Sequence, residues 1–381
     1  MSVTLVCGAR NAGKSVYCRA LLNSILNHHE KVAFLDIDVG QGDGTPEGYL
    51  SLSLLSTPQF RGSTVCHINR HLFSAVYFGE KSPENHPAVY IECMNYLVER
   101  YTTSLSKYPL VINTCGWIKG VGAEILNATK QAITCSHVVF IQLPSEPEKC
   151  PIENLETSRL VTLYAQSEGK KKLNTKSLRT ERLVQYFVEN RRGRLGDRLL
   201  ALPRYSFAID RVQCYLRDSS PVYYYLTLAG SVVGLAVDPA FVPAAEATEA
   251  NEANEANEDA REAGTPWTAN VPIPRAKRTP KLLRRLPVCE ALGLGVVQSV
   301  DLRRNRIVVL SPLSRNDLER VNTLVISASP IPSELLSSSL PYSTLFQASN
   351  LVGAGCLPIS SRTNLKRDFP QWRVCWNKQS L

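Results

Sequence analysis

Residues 3–15 read Val3-Thr4-Leu5-Val6-Cys7-Gly8-Ala9-Arg10-Asn11-Ala12-Gly13-Lys14-Ser15. The second part of this stretch fits the pattern G-x-x-x-x-G-K-[ST] at every fixed position, a pattern that is meaningful only between a strand and a helix. Both neighbours are present. The apolar run 3–7 is typical of a buried parallel strand, and apolar residues recur at helical spacing over 21–26. The sequence therefore predicts a phosphate-binding loop, called the P-loop below, at residues 8–15.

The residue types of the P-loop explain how it would bind a nucleotide. Its two glycines let the backbone bend so that N–H groups converge on phosphate oxygens, and the following helix adds its positive N-terminal end. Lys14 would reach the β- and γ-phosphates, and the Ser15 hydroxyl would hold Mg²⁺. The predicted nucleotide-binding residues are Gly8, Ala9, Arg10, Asn11, Ala12, Gly13, Lys14 and Ser15. ATPases, GTPases and small-molecule kinases all use such a loop, so the loop alone does not name a reaction.

Composition describes an ordinary globular protein of two or three domains. The chain has 381 residues, of which 44% are hydrophobic and 20% are charged. No apolar stretch approaches the roughly 18–20 residues that span a bilayer, and the first strand runs straight into the P-loop, which leaves no signal peptide. The 11 cysteines are an odd number without a C-x-x-C pair, which argues against a disulfide framework and a zinc cluster. We therefore expect a reducing compartment, cytosol or nucleus, and no membrane partner.

The net charge of +9 is unevenly distributed. Residues 169–204 contain eleven Lys and Arg against three Asp and Glu, and residues 275–285 contain six basic residues and no acid. Such segments attract polyanions by releasing counterions. We favour polyanion contact for 169–204, whereas a solvated surface or a nuclear-import signal fits 275–285 equally well.

The first half of the chain alternates strands with helices, which predicts an α/β domain with a parallel sheet. A second buried strand, 32–35, ends at Asp36 and Asp38, and the carboxyl ends of parallel strands are where such sheets bind ligands. A third strand, 110–112, ends before Asn113, and strand 137–141 closes the parallel set. Short strands are predicted at 49–55, 62–69 and 75–78, with helices that start near Ser82 and over 123–133.

The second half of the chain has a basic, helical region followed by a region of predicted strands. Residues 150–200 are polar, basic and mostly helical in pattern, and Arg179 and Arg182 lie three residues apart on an amphipathic helix. Beyond residue 203, hairpins are predicted at 223–237 and 294–310. The acidic, alanine-rich segment 244–264 is predicted to be a disordered or loosely helical insertion. The predicted organisation is therefore a P-loop kinase domain, 1–204, with a helical lid at about 150–200, followed by a smaller β-rich domain, 205–381.

Two motifs narrow the reaction, namely Asp36-Ile37-Asp38-Val39-Gly40-Gln41 and Asn113-Thr114-Cys115-Gly116-Trp117. With the P-loop they make the chain resemble the polynucleotide 5′-hydroxyl-kinase family, closest to the nucleolar branch that acts in pre-ribosomal RNA processing; the sibling branch works in mRNA cleavage and tRNA splicing. The resemblance extends to about residue 342, apart from the insertion. It implies transfer of the γ-phosphate of ATP, with Mg²⁺, to 5′-hydroxyl RNA ends in the nucleus and nucleolus. It also implies a partner endonuclease that leaves such ends.

The resemblance also assigns roles. Asp38 would be the general base for the RNA hydroxyl, Asp36 would hold the metal with Ser15, and Lys14 would be catalytic. Residues 114–117 would form a clasp in which Trp117 stacks on a terminal base, with Thr114 and Gln41 also on the RNA side. Arg179 and Arg182 would be lid arginines that stabilise charge on the transferring phosphoryl group. The structural alternatives are a capped strand end for the two aspartates, a core position for Trp117 and a solvated helix face for the two arginines.

The sequence departs from the family at several places, and the stretch around residues 104–108 and the start of the lid match poorly. Family members usually have a β-rich domain ahead of the P-loop, whereas this sequence begins at the strand of the loop itself, either because the lineage lacks that domain or because the sequence is truncated. A threonine commonly follows the loop serine, and Val16 stands there instead, which removes a possible α-phosphate contact.

Two other functions fit parts of the sequence. One is a non-catalytic, ATP-bound scaffold of an RNA-processing complex. The other is a small-molecule kinase or a GTPase, although the sequence has no Asn-Lys-x-Asp guanine signature and its basic lid suits a polymer better.

Overall fold

The computed structural model describes residues 1–60, 72–144, 148–165, 175–188, 199, 201–216, 224–243, 280–332, 335 and 347–348. The predicted strand at 62–69, the acidic insertion 244–264 and much of both basic segments lie outside these residues.

Within the described residues, the first half of the chain forms a seven-stranded sheet in the order β4-β3-β2-β5-β1-β6-β7. Its strands are β1 Val3–Gly8, β2 Val32–Asp36, β3 Tyr49–Leu55, β4 Leu72–Tyr77, β5 Leu110–Asn113, β6 His137–Gln142 and β7 Arg159–Tyr164. The helices that accompany it are α1 Lys14–Leu26, α2 Pro87–Ser104, α3 Val121–Ala132 and α4 Thr175–Val188. The predicted amphipathic helix around Arg179 is confirmed as α4.

The sheet is mixed rather than wholly parallel. Strands β2, β5, β1, β6 and β7 are parallel neighbours, whereas β3 runs antiparallel to both β2 and β4. The α/β class predicted from the sequence is confirmed. The prediction that strand 137–141 closes the parallel set is wrong, because β7 pairs along the far side of β6. The sequence did not predict β7, since its residues are exposed or only half-buried and carry no apolar run.

The second half of the chain forms an eight-stranded sheet within the described residues. Its main path is β11-β9-β14-β10-β12-β13-β8, and β15 pairs with β12. The strands are β8 Arg204–Ala208, β9 Gln213–Tyr215, β10 Val232–Val237, β11 Lys281–Leu283, β12 Glu290–Asp301, β13 Arg306–Leu310, β14 Thr323–Ile326 and β15 Gln347–Ala348. Two short helices, α5 Tyr224–Leu228 and α6 Arg315–Arg320, and the 3₁₀ turns Leu155–Thr157 and Ile209–Arg211 complete the described elements. The domain division at residue 204 stays a prediction.

Two local predictions are wrong and one is confirmed. The hairpin at 294–310 is confirmed as β12 and β13. The predicted hairpin at 223–237 has only its second strand, because residues 224–228 form helix α5, whose Tyr224, Tyr225 and Leu228 are buried in the core of the second sheet. The helix predicted to start near Ser82 starts at Pro87, where proline suits the first helical position.

The two sheets contact each other at β4, which is an edge strand among the described residues. Glu290 of β12 accepts hydrogen bonds from the Ser74 hydroxyl at 2.6 Å and from the Ala75 N–H at 2.9 Å. Close by, Gly234 of β10 lies against the Tyr77 ring, since a Cβ at residue 234 would be only 2.1 Å from a ring carbon. The sheets therefore meet at a position where only glycine fits.

Two further features concern the described residues as a whole. The eight cysteines found there are free thiols. None of the helices described has both the length and the apolar character that crossing a membrane requires.

We expect Gly234→Ala to destabilise the protein by about 1–3 kcal/mol, because the added methyl group must push the Tyr77 ring out of a well-filled interface. Urea unfolding followed by circular dichroism measures the change. The control is Val242→Ala, a loop residue that is 62% exposed and should change the free energy of unfolding by less than about 0.5 kcal/mol. Equal unfolding curves for the two variants would contradict this account of the interface.

Candidate active site

The P-loop has the backbone geometry of a phosphate cradle. Asn11 and Gly13 have φ values of 64° and 95°, a left-handed conformation that successive N–H groups need to turn toward one point. Lys14 begins helix α1 and is buried, with its ammonium donating to the Ala9 carbonyl at 3.0 Å. A lysine ammonium has three N–H donors. Within the described part of the chain the other two have no recorded acceptor and are available to phosphate oxygens.

Asp36 is a buried carboxylate that organises the loop after β2. Its Oδ1 accepts hydrogen bonds from the Asp38 N–H at 3.1 Å and from the Asn113 side-chain amide at 2.9 Å. Its Oδ2 accepts a hydrogen bond from the Asp43 N–H. A carboxylate has about four acceptor positions, so one remains on Oδ2 for a metal ion or a water molecule.

Burial also changes how Asp36 titrates. Burial, and to a smaller degree the neighbouring Asp38 carboxylate, raises the pKa of Asp36 to about 7, although its three hydrogen bonds oppose that shift. Burial lowers the pKa of Lys14, and the negative charge of Asp38 opposes this change. Both groups therefore lie where charge is poorly solvated, and each would be stabilised by a ligand of opposite charge.

Asp38, the predicted base, is held by the loop that follows it. Its Oδ1 accepts hydrogen bonds from the Gly40 N–H at 3.1 Å and the Gln41 N–H at 3.0 Å. No hydrogen bond within the described residues engages Oδ2. The carboxylate is half-buried and close enough to Lys14 to influence its pKa. Asp38 therefore has a fixed orientation and one oxygen available to an incoming group.

Arg19 joins the P-loop helix to the loop after β2. Its Nε lies 3.3 Å from the Ser15 carbonyl, to which it donates, and 3.3 Å from a carboxylate oxygen of Asp43. Asp43 in turn donates its N–H to Asp36. Arg19 and Asp43 thus link the backbone of Ser15 to the Asp36 carboxylate.

The predicted lid arginines contact the same loop from helix α4. Arg179 donates from Nε to the Gly40 carbonyl at 2.8 Å, and Arg182, which is buried, donates from Nη1 to the Gly42 carbonyl at 2.6 Å. The position that a Cβ on Gly40 would occupy is 3.5 Å from Arg179 Nη2 and 3.4 Å from Asp38 Oδ1. Arg179 therefore flanks the base, whereas Arg182 is engaged with the loop itself.

The predicted clasp lies against the P-loop. A Cβ on Gly116 would be 2.6 Å from the Cα of Arg10, so only glycine permits this approach. Trp117 is half-buried beside the start of α3. Thr114 is fully buried and its hydroxyl donates to the Val6 carbonyl at 2.9 Å. The predicted RNA contact of Thr114 stays a prediction, and this geometry gives its hydroxyl a partner in β1 instead.

Gln41 has a feature that suits a ligand site. Its side-chain Nε2 is buried and has no hydrogen-bond partner within the described residues, and neither does the hydroxyl of Thr45 in the same loop. Buried polar atoms normally have a partner. Unpaired donors in a loop beside the predicted base are compatible with a bound polar substrate.

The residues present fit a nucleotide and Mg²⁺. The P-loop supplies inward-turned N–H groups and a buried ammonium, which is the donor set that a polyphosphate needs. Among the described residues no cluster of three or more His, Cys, Asp or Glu side chains could hold a metal. Mg²⁺ is commonly held by one or two protein ligands together with substrate phosphates, so Ser15 and the remaining position on Asp36 are sufficient.

The sheet order, the P-loop between β1 and α1, and the carboxylates at the end of β2 define a P-loop nucleotide-binding protein. Comparison with known proteins narrows the class. The family model described as mRNA cleavage and polyadenylation factor CLP1 P-loop matches residues 8–189. The chain is also similar, over most of its length, to proteins named polynucleotide 5′-hydroxyl-kinases, which confirms the resemblance predicted from the motifs.

The individual relatives differ in how much of their length is matched. Polynucleotide 5′-hydroxyl-kinase NOL9 of Arabidopsis thaliana is 25% identical over 366 residues, which cover 88% of this chain and 87% of that protein. NOL9 of Homo sapiens is 26% identical over 386 residues, which cover 92% of this chain but 53% of that protein. The chain thus spans about half the length of the human relative, as it does of the zebrafish one.

The fold has counterparts among solved structures. A structure titled wild-type Clp1p-Pcf11p (454-563) complex matches with a TM-score of 0.55 and 11% identity, over 86% of this chain and 74% of that one. At this identity the match supports the fold alone.

Sequence reasoning missed several residues that build the site. Asn113, Asp43 and Arg19 connect strands and helices that are distant along the chain. Asn113 lies in the motif that ends at Trp117. Its place at the end of a parallel strand, opposite Asp36 in the neighbouring strand, is the signal that could have identified it as the partner of Asp36. Asp43 had no signal beyond its place in a glycine-rich loop.

Asp36 leads to a pH-dependent prediction. An unfolded chain releases this proton near pH 4, whereas burial raises the pKa of Asp36 to about 7 in the folded protein. The stability that the protonated group contributes is therefore complete below pH 4 and is lost as the pH rises through 7. In urea unfolding without nucleotide or Mg²⁺, the stability of wild type relative to Asp36→Asn should fall by about 1–3 kcal/mol between pH 5 and 7.

Above pH 8 the difference in the free energy of unfolding between wild type and Asp36→Asn should become constant. Parallel stability curves from pH 5 to 8 would mean that Asp36 does not titrate in this range.

Proposed function

We propose that this chain is an ATP- and Mg²⁺-dependent polynucleotide 5′-hydroxyl-kinase that transfers the γ-phosphate of ATP to the 5′-hydroxyl end of RNA. The observation that carries the proposal is that Lys14, Asp38 and Arg179 lie close to one loop, the loop that follows the carboxyl end of β2. The names of the NOL9 relatives support the same reaction.

Asp38 is the proposed general base. Oδ1 is fixed by two loop N–H groups, so Oδ2 can accept the proton of the RNA 5′-hydroxyl while the oxygen attacks the γ-phosphorus. Such proton transfer contributes about 10²–10⁴-fold to rate. The bond from the γ-phosphorus to the bridging oxygen breaks as the new bond forms, and ADP leaves.

Positive charge around the loop would stabilise the transferring group. Lys14 is the proposed contact for the β- and γ-phosphates, and Arg179 Nη2, beside Gly40, is the proposed contact for the equatorial oxygens. Mg²⁺, held by Ser15 and Asp36, would neutralise charge on the phosphates. Arg182 is proposed to act on the same reaction by holding the loop that carries the base.

The RNA end is proposed to enter between the clasp and the lid. Trp117 would stack on the terminal base, Gln41 would offer its unpaired amide, and the basic segment 169–204 would follow the RNA backbone. By analogy with the relatives we further propose a nucleolar role in pre-ribosomal RNA processing. A partner endonuclease would produce the 5′-hydroxyl ends.

Transfer of radiolabelled phosphate from ATP to a short 5′-hydroxyl RNA tests the activity. We expect Lys14→Ala to reduce kcat by about 10²–10³-fold, because a preorganised charge is lost, and Asp38→Asn by about 10²–10⁴-fold, because the amide cannot accept the proton. Lys107→Ala, which changes an exposed lysine after α2, is the matched control and should leave the rate unchanged.

Each alternative has its own outcome in this assay. Wild type that binds ATP without phosphorylating any 5′-hydroxyl RNA or DNA would identify a scaffold. ATP turnover that free nucleosides inhibit and RNA does not would identify a small-molecule kinase. Full labelling by Lys14→Ala would refute the assigned site.

The role of Trp117 can be separated from nucleotide binding. Trp117→Ala should raise KM for RNA by roughly tenfold, because one base loses its stacking partner, and should leave KM for ATP within about twofold. Trp117→Phe should restore most of the affinity, since it retains an aromatic face. Equal increases in both KM values would indicate that Trp117 supports the P-loop instead.

A further inference from the structure

Glu47 is a nearly buried acid to which the sequence analysis gave no role. It lies in the loop between β2 and β3, and its side chain is only 11% exposed. Its Oε2 is 3.4 Å from Arg179 Nε, and its Oε1 accepts a hydrogen bond from the Ser329 hydroxyl. The two oxygens of one carboxylate therefore contact two different parts of the chain, the lid helix α4 and the segment after β14.

Arg179 is held by one edge of its guanidinium. Its Nε donates to the Gly40 carbonyl at 2.8 Å and faces Glu47 on the same side. Its Nη2 lies beside Gly40, at the point that Asp38 Oδ1 also flanks. The Gly40 carbonyl and the Glu47 carboxylate thus both contact Nε, and Nη2 lies on the side of Gly40 and Asp38.

The fixed placement of Glu47 makes it an effective anchor for a flexible arginine. The neighbouring Gly48 donates to the Val39 carbonyl at 2.8 Å and accepts from the Phe78 N–H at 2.7 Å. Holding a flexible arginine side chain in one geometry costs rotamer entropy. A charged partner at a rigid position stabilises that geometry before substrate arrives.

Ser329 brings the second sheet into this arrangement. The preceding residue, Ala328, donates its N–H to the Gly79 carbonyl at 2.8 Å, and the Ser329 N–H donates to the Ser327 hydroxyl at 3.0 Å. The segment after β14 is therefore pinned to the first sheet and presents its hydroxyl to Glu47. The contact runs from the second sheet through Glu47 to the lid arginine.

We propose that Glu47 is a positioning residue that holds Arg179 beside Asp38 and is itself oriented by Ser329, in the segment after β14 of the second sheet. The inference rests on the proposed kinase activity. What is new is that a residue next to the second sheet helps to position a side chain of the proposed phosphoryl-transfer site.

Steady-state kinetics of Glu47→Gln tests the proposal. The amide keeps the size of the side chain and removes the charge that faces Arg179. We expect kcat to fall about 10- to 100-fold, as small displacements of a catalytic group do, while KM for ATP and for RNA change less than about threefold. Ser329→Ala removes only the hydrogen bond from the Ser329 hydroxyl to Glu47 and should lower kcat by a smaller factor.

The Arg179→Ala background distinguishes positioning from general support. If Glu47 acts through Arg179, Glu47→Gln should have almost no further effect on kcat in that background. The matched control is Glu92→Gln, since Glu92 also joins the two parts of the chain, through Arg285. This variant should keep wild-type kinetics.

Three results would overturn the proposal: a normal kcat for Glu47→Gln, an equal loss with and without Arg179, or a rise in KM for ATP alone. If Glu47→Gln does not fold, as thermal melting would reveal, kcat of Ser329→Ala measured with and without Arg179 tests the proposal in its place. Absence of any transfer by wild type would instead refute the proposed kinase function, so the two failures are distinguishable.

Discussion

A buried carboxylate at the end of β2 is the constraint on which the site depends. Asp36 has lost its hydration, so its oxygens must find donors within the protein. The donors come from the next-but-one residue, Asp38, from the adjacent parallel strand at Asn113, and from the far side of the loop at Asp43. Satisfying one carboxylate therefore closes the loop 37–43. The same hydrogen bonds orient the backbone that carries the proposed base.

The closed loop then determines where positive charge can lie. Its carbonyls at Gly40 and Gly42 face helix α4, and they accept from Arg179 and Arg182 at neighbouring positions on one helix face. Burial raises the pKa of Asp43, and the positive charges of Arg19 and Arg182 oppose that shift. Helix α4 and the loop that carries Asp38 are therefore joined by hydrogen bonds, so a movement of α4 would disturb that loop.

The parts of this arrangement that are local in sequence could be predicted. The P-loop, the aspartates at the end of β2 and the arginines of α4 all lie in short patterns that can be recognised without knowing the fold. Contacts such as Glu47 with Ser329 could not be predicted, because they join residues almost 300 positions apart and leave no periodic signal. The helix at 224–228 was missed for a related reason: its tyrosines favour a strand by propensity, and burial in the second core overrides that preference.

The second sheet is better understood as part of the scaffold of the site than as an appended module. Strand β4 is an edge strand among the described residues, and an edge with unpaired N–H groups invites wrong pairing. Glu290 accepts the outward N–H of Ala75 and so covers that edge. This contact joins the second sheet to the first, and a separate hydrogen bond from the Ala328 N–H to the Gly79 carbonyl holds the segment after β14 against the same part of the first sheet. Protection of an edge strand and delivery of Ser329 to the site are therefore two consequences of one interface.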